Sequence, residues 1–538
     1  MSIEHGHLQG SLFGVVSLTG DLFDPLDRYR LFREKILPAL YAMRNELCAL
    51  YCESNGRPAI EPVIMAGVTL LQFMEKMPDA RAAECARLHL GWKYALDLEL
   101  GYEGFHPTSL VKFRGRLLDG GVERVGFDAL LDGLQAAGLV RKKSRQRLDS
   151  THVLGLVSKM SRLELTRETI RLALEFIQKS GYHNALANWT LMQERYLDSQ
   201  IHWGKVSEES LKERSAQAGQ DALGLICWLR LQHSFVRDSE KSLLLERVFL
   251  EQYELADCLV QQKITHTGSV QNPHDPEAQW ASKDNARTKT WVGYKAQIAE
   301  TVSDEDKRVE GMPTEQFITE VVTTPAITSD IEGLTRNLSA QSEKRDQQPT
   351  ELYVDAAYVT DDTLADAKGV GYELMGPPRP PGNAPKNAFS TEHFDVDCGH
   401  RKAVCPAGHE SRQCSLIHDH YNDNVFMRFE WAGLCNECAS RAQCTQSRNG
   451  RRLLVVGIHH DLLQQRRKQM SDDAFKKKLR RRSAVEGTIS EFTRGGGRRT
   501  RYRGLAKTTM ANYFQGAAVN AGRWIRLVQW QLGQRNAA

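Results

Sequence analysis

The stretch from Ser161 to Gln262 is rich in Leu, Glu, Arg and Gln, with apolar residues three or four apart such as Leu163, Ile170, Leu174 and Ile177. It is too long to be a loop. The segments around it are β-prone: RQRLDSTHVLGLV before it, then WVGYKAQIAETV, QFITEVVTTPAITSD and TELYVDAAYV after it. A sheet assembled from them must therefore be interrupted after its first strand by a helical insertion. A helix predicted from about Asp330 to Arg345 leads into LYV, and TDDTLADAKG reads as the helix beyond it. The class expected is mixed α+β.

Acidic residues punctuate these segments. Asp355 follows Leu352, Tyr353 and Val354, which places its carboxylate near the carboxyl end of a buried strand. Asp149 begins a weaker strand, and Glu486 lies in the polar helical pattern RRRSAVEGTISEF. Two aspartates on neighbouring strands and a glutamate on a helix can hold two divalent ions about 3.5–4 Å apart, one activating an attacking oxygen and one stabilising a leaving oxygen. Oxygen-only ligands favour Mg²⁺ or Mn²⁺. The chain has 67 acidic residues, and most acids of this kind are caps or solvated turn residues. Context singles out these three, with Glu491 as the alternative third acid.

Charge distribution points to nucleic acid. The net charge is only +4, yet between Arg466 and Arg503 fourteen Lys or Arg face four acids, Asp472, Asp473, Glu486 and Glu491. A run of this kind is commonly a solvated helix face. Here it contains a candidate catalytic acid, which favours a phosphate-facing surface. Arg482 and Glu486 are four apart and share a helical face. GGG at 495–497 followed by RRTRYRG reads as a flexible basic loop, and ANYFQGAAVNAGRWIRLVQWQL as an amphipathic terminal helix. Near the amino terminus, Pro62 starts a helix with the stripe Ile64, Val68, Leu71 and Met74; helices from about Asp79 and over SLVKFRGRLL follow. With Arg57, Lys112, Arg114 and Arg116, these suit either a helix-turn-helix-like DNA-binding unit or a structural helical cap.

Six of the eleven cysteines fall between Cys398 and Cys444, too clustered for a disulfide scaffold. The pair Cys435 and Cys438 in CNEC can present two sulfurs to one zinc ion, with Cys444 and Cys405 as further donors. Cys398, His409 and Cys414 are alternative donors. A closed four-ligand site would be structural. The start MSIEHGHLQG lacks a signal-peptide pattern, and no run of about 20 apolar residues occurs. A cytoplasmic, nucleoid-associated protein with no membrane association is expected.

The blocks LDSTHV, YVDAAYV and RSAVEG resemble the three catalytic blocks of the DDE transposases of bacterial insertion sequences. Gly56 to Leu118 resembles their InsH-like amino-terminal domain, and the cysteine cluster resembles a zinc-binding insertion of one branch, whose pattern Cys405, Cys435, Cys438 and Cys444 match. The resemblance implies an RNase H-like catalytic domain with Asp149, Asp355 and Glu486 as catalytic metal ligands, two Mg²⁺ or Mn²⁺ per site, and a structural Zn²⁺. It further implies cut-and-paste transposition, with terminal inverted repeats and target DNA as partners and a homodimer on the two ends. Arg482 and Glu486 match the R-x3-E part of a YREK-type signature; Leu479 stands at its tyrosine position and Thr493 at its lysine position, with Arg494 adjacent. Arg57, Lys283, Lys295, Arg482, Arg494, Arg498 and Arg499 are the expected DNA contacts. A metal-dependent nuclease on the same fold, or a non-enzymatic DNA-binding derivative, are the alternatives.

The division expected is a lead-in and helix at 1–50, a helical DNA-binding domain at 51–140, and a catalytic domain at 141–160, 263–390 and 446–505. Within it lie a helical insertion at 161–262 and a zinc-type insertion at 391–445; residues 506–538 form the terminal helix.

Overall fold

The computed structural model describes residues 2–3, 15–199, 208–256, 259–264, 266–283, 286, 288–303, 309–380, 388–419 and 424–537. Short helical segments from Arg28 lead into α1 (Pro62–Glu75), with Pro62 in its first turn. Then come α2 (Asp79–Leu88), α3 (Thr108–Asp119) and α4 (Val125–Ala136). The first strand, β1 (Lys143–Leu154), is followed by the expected insertion: α5 (Arg162–Lys179), α6 (Glu208–Arg230) and α7 (Glu240–Gln252) form a core of their own. A capping box of Ser161 and Glu164 starts α5.

The sheet begun by β1 resumes with β2 (Gln279–Ser282), β3 (Thr290–Thr301) and β4 (Ile318–Pro325). After them come α8 (Asp330–Arg345), β5 (Gln348–Tyr353), α9 (Asp361–Val370) and β6 (Glu373–Met375). The order is β4-β3-β1-β5-β6, with β2 beside the first residues of β3. β3 runs antiparallel to β1 and β4, whereas β5 runs parallel to β1 and β6 parallel to β5. Three antiparallel strands in meander followed by two parallel strands, with helices between, is the RNase H-like arrangement. Gly293 is required where β3 is flanked by β1 and β2: its φ is +151°, and a Cβ would collide with the Val153 carbonyl oxygen.

A second module follows. A hairpin of Asp395–Asp397 and Lys402–Val404 lies beside the sheet of β7 (Gln413–Asp419), β8 (Asn424–Glu430) and β9 (Leu453–Gly457). The expected division put residues 446–505 with the first sheet; instead β9 pairs with β8, and Leu454 and Val456 join Phe394, Phe429 and Trp431 in the module's core. The chain returns through α10 (His460–Gln469) and α11 (Asp473–Leu479), then a 3₁₀ turn over Arg480–Ala484 and α12 (Val485–Phe492). The helical pattern RRRSAVEGTISEF thus divides into the 3₁₀ turn and α12.

The last helix, α13 (Leu505–Ala537), is not amphipathic as its sequence suggested. Residues 510–521 are buried all round because α13 lies between the amino-terminal helices and the sheet. Phe514, Ala517 and Ala521 share one core with Val68 and Leu71 of α1, Leu130 of α4, and Ile298 and Val321 of the sheet. The other sheet face, through Leu148, Ala299 and Leu352, packs on Leu334 of α8.

Charge is buried under α13 as well. Glu300 is wholly buried; it accepts from Arg147 Nε at 2.5 Å, Arg523 Nη1 at 3.0 Å and Thr488 Oγ1 at 2.5 Å. Arg147 also donates to the Arg481 carbonyl, and Arg523 to Glu491. Removing one member of such a network strands the others without a counter-charge. Glu300→Ala is expected to destabilise the fold by about 3–5 kcal/mol; an unchanged thermal unfolding midpoint would refute this.

Candidate active site

Asp149 lies in the middle of β1, not at the start of a strand as its sequence suggested. Asp355 lies just beyond β5 and caps the 3₁₀ turn Ala356–Tyr358, its Oδ1 accepting from Ala357 N at 2.7 Å. The parallel register pairs Gln146 with Leu352 and Arg147 with Tyr353. Asp149 and Asp355 are each two residues further on, so they lie side by side on one face. Asp149 is opposite Ile298 and shares the α13 face with Arg147.

Burial first, and then the charge of Asp355, push the Asp149 carboxyl up to about 6, opposed by the Ser150 amide and Arg482. The pair therefore attracts positive charge. Arg482 supplies it: Nη1 lies 3.6 Å from Asp149 Oδ2 and Nη2 lies 3.8 Å from Glu486 Oε1. Glu486 is in the first turn of α12 with its side chain 71% exposed. Among the described residues no group of three or more His, Cys, Asp or Glu side chains is gathered closely enough to hold a metal ion. Asp149 and Asp355 are nonetheless a suitable donor pair for a hard cation, and the Arg482 guanidinium stands between the first and third acids. Glu491, the alternative third acid, is turned away: Arg523 and Arg526 hold its two oxygens at 2.9 and 2.7 Å.

Two neighbours had no signal in the sequence. Asp330, in the first turn of α8, accepts from Ser150 Oγ at 3.3 Å and pairs with Lys295 at 3.2 Å. The Tyr358 hydroxyl donates to Gln297 at 2.9 Å; burial first, and then the charges of Asp330, Asp149 and Asp355, raise its pKa. A helix-capping motif such as TSD at 328–330 marks Asp330 only as a helix start.

The expected DNA contacts divide. Arg57, Lys283, Arg494 and Arg499 are exposed. Lys295 is held by the Thr328 carbonyl at 2.7 Å and by Asp330, and Arg498 donates to His152 Nε2 at 2.9 Å and to the His152 carbonyl. His152 is kept neutral to about pH 4 by burial, then by Arg498 and Lys283.

In the cysteine module, Cys405, Cys435, Cys438 and Cys444 line one small cavity together with His409 and Trp431. Burial, chiefly, and the proximity of the other thiols raise the pKa of Cys435 and Cys444. A cluster of sulfurs in one cavity suits a soft cation. Cys398 and Cys414 lie elsewhere: Cys398 Sγ is 3.9 Å from the Gly457 carbonyl and its charged neighbours are Asp461 and Asp361, while the neighbour of Cys414 is Arg401.

Residues 404–525 match the family model described as a transposase DDE domain, and residues 20–116 match a transposase domain (DUF772). The first stretch contains Glu486, Arg482 and the four clustered cysteines; Asp149 and Asp355 lie outside both. No curated protein and no solved structure matches the chain. Among the described residues no helix is long and apolar enough to cross a membrane.

Proposed function

We propose that this chain, which belongs to the DDE-type insertion-sequence transposases, cuts DNA at the ends of its element and joins the freed ends to target DNA. The observation that carries the reading is the adjacency of Asp149 and Asp355 on parallel strands, with Arg482 between Asp149 and Glu486. Asp149, Asp355 and Glu486 are the residues to hold Mg²⁺ or Mn²⁺, which when bound supplies Lewis-acid stabilisation of the reacting oxygens. The chain's own part is positional. β1 and β5 fix two carboxylates, the Ala357 amide orients Asp355, and Arg482 is free to exchange its carboxylates for a phosphate.

In the first step water attacks the phosphodiester and the 3′-oxygen leaves as a hydroxyl. In the second that hydroxyl attacks a target phosphodiester in line, displacing its 3′-oxygen. Arg57, Lys283, Arg494 and Arg499 contact backbone phosphates, and a homodimer holds both ends on DNA in the cytoplasm. Cys405, Cys435, Cys438 and Cys444 hold a structural Zn²⁺.

The test is incubation with duplexes bearing the inverted repeats that flank the reading frame. Cleaved and joined products are expected. Cleavage without joining would instead identify a nuclease, and binding without cleavage a DNA-binding derivative. Two variants sharpen it. Glu486→Gln is expected to eliminate cleavage with nearly unchanged affinity, since the proposed role of the residue is toward the ions rather than a phosphate. Arg482→Ala is expected to weaken binding across sequences and to reduce the slope of log affinity against log salt by about one. Were both silent, as for an exposed Arg and Glu pair, the third acid would not be Glu486.

A further inference from the structure

A cavity of about 480 Å³ opens where three parts of the chain meet: the end of α1, the turn after α12, and α13. Its charge is lopsided. Arg28, Lys76, Arg494 and Arg526 line it against the single acid Glu491, both of whose oxygens are already held by Arg523 and Arg526. Arg28 is paired with Glu75. Among the described residues, no ion pair occupies Lys76 or Arg494, and both are exposed; the Arg494 Nε donates only to the Ser490 carbonyl, at 3.3 Å. Two cations thus face the cavity with their charge unspent.

The backbone bears the cost of placing them there. Lys76 ends α1 in the left-handed region at φ 56°, a position where glycine would be the less strained choice. Arg494 precedes three glycines, of which Gly496 has φ +121°. Phe73, Met74 and Ile525 give the wall apolar patches beside the amides of Gln515 and Gln529. A cavity this large exceeds a lone phosphate, and its mixed lining suits an alternation of phosphate and sugar.

We infer that this cavity seats a stretch of one DNA strand's sugar-phosphate backbone, with Lys76 and Arg494 as its phosphate contacts. The inference rests on the reading of the chain as a DNA-cutting enzyme and adds where the strand lies. The seat is tied to the active centre through a chain of ion pairs: Glu491 to Arg523, Arg523 to Glu300, and Glu300 to Arg147, two residues before Asp149. A strand held there is registered against the sheet rather than against a loop.

The experiment measures binding of the full chain to a fluorescein-labelled duplex of random sequence, by anisotropy at several salt concentrations. For the double variant Lys76→Gln, Arg494→Gln, the slope of log affinity against log salt is expected to fall by about two, with roughly a tenfold loss of affinity per contact at low salt. The charge-conserving double variant Lys76→Arg, Arg494→Lys should retain the wild-type slope, which a merely structural role would not predict. A wild-type slope in the glutamine variant, with its thermal midpoint unchanged, would overturn the seat while leaving DNA binding intact. Failure of the wild-type chain to bind the duplex would overturn both readings.

Discussion

Asp355→Asn is expected to abolish Mg²⁺-dependent cleavage of end-bearing DNA while leaving binding to that DNA unchanged. The substitution is nearly isosteric. An asparagine oxygen can still accept from the Ala357 amide, the bond that orients residue 355 at 2.7 Å, so the 3₁₀ turn and the end of β5 survive. What is lost is a negative charge beside Asp149, at the point where parallel register brings two carboxylates together. A loss on the order of a thousandfold in rate corresponds to about 4 kcal/mol in the barrier. Parallel cleavage and anisotropy assays on one DNA separate chemistry from binding. Normal cleavage by the variant would sink the assignment of these carboxylates.

The second large effect concerns the cysteine module. About one zinc per chain is expected by elemental analysis, and none in the double variant Cys435→Ser, Cys438→Ser. The module's core is small, built on Phe394, Phe429, Trp431 and a few aliphatic residues, and the folding energy of such modules comes largely from the metal. Without it, limited proteolysis should cut between about residues 390 and 450. Because β9 pairs with β8, the loosening should extend to residues 453–457, beyond the last cysteine. Equal zinc content in wild type and variant would refute the ligand set.

Local chemistry made much of the architecture readable. Pro62 at a helix start, the helical stretch from about Asp330 and the β-prone LYV before Asp355 each act over a few residues, and α1, α8 and β5 lie where they indicate. The helical insertion was legible for the same reason, since a repeating three-to-four spacing needs no distant partner to be recognised. The three acids were legible as candidates because each sits in a distinctive local block. The sequence by itself also grouped the cysteines by spacing, though it left the choice among seven donors open.

Tertiary structure decided what depends on residues far apart in the chain. It placed Arg482 between Asp149 and Glu486, committed Glu491 to Arg523 and Arg526, and brought Asp330 and Tyr358 to the same carboxylates. It turned α13 from an expected amphipathic helix into one buried all round over residues 510–521, because amino-terminal helices cover one side of it and the sheet the other. It assigned β9 to the cysteine module rather than to the sheet that holds Asp149. Hydrogen-bond and apolar periodicity are written in short windows of sequence. Which charge neutralises which, and which apolar face meets another, is settled only when distant segments compete for the same buried space.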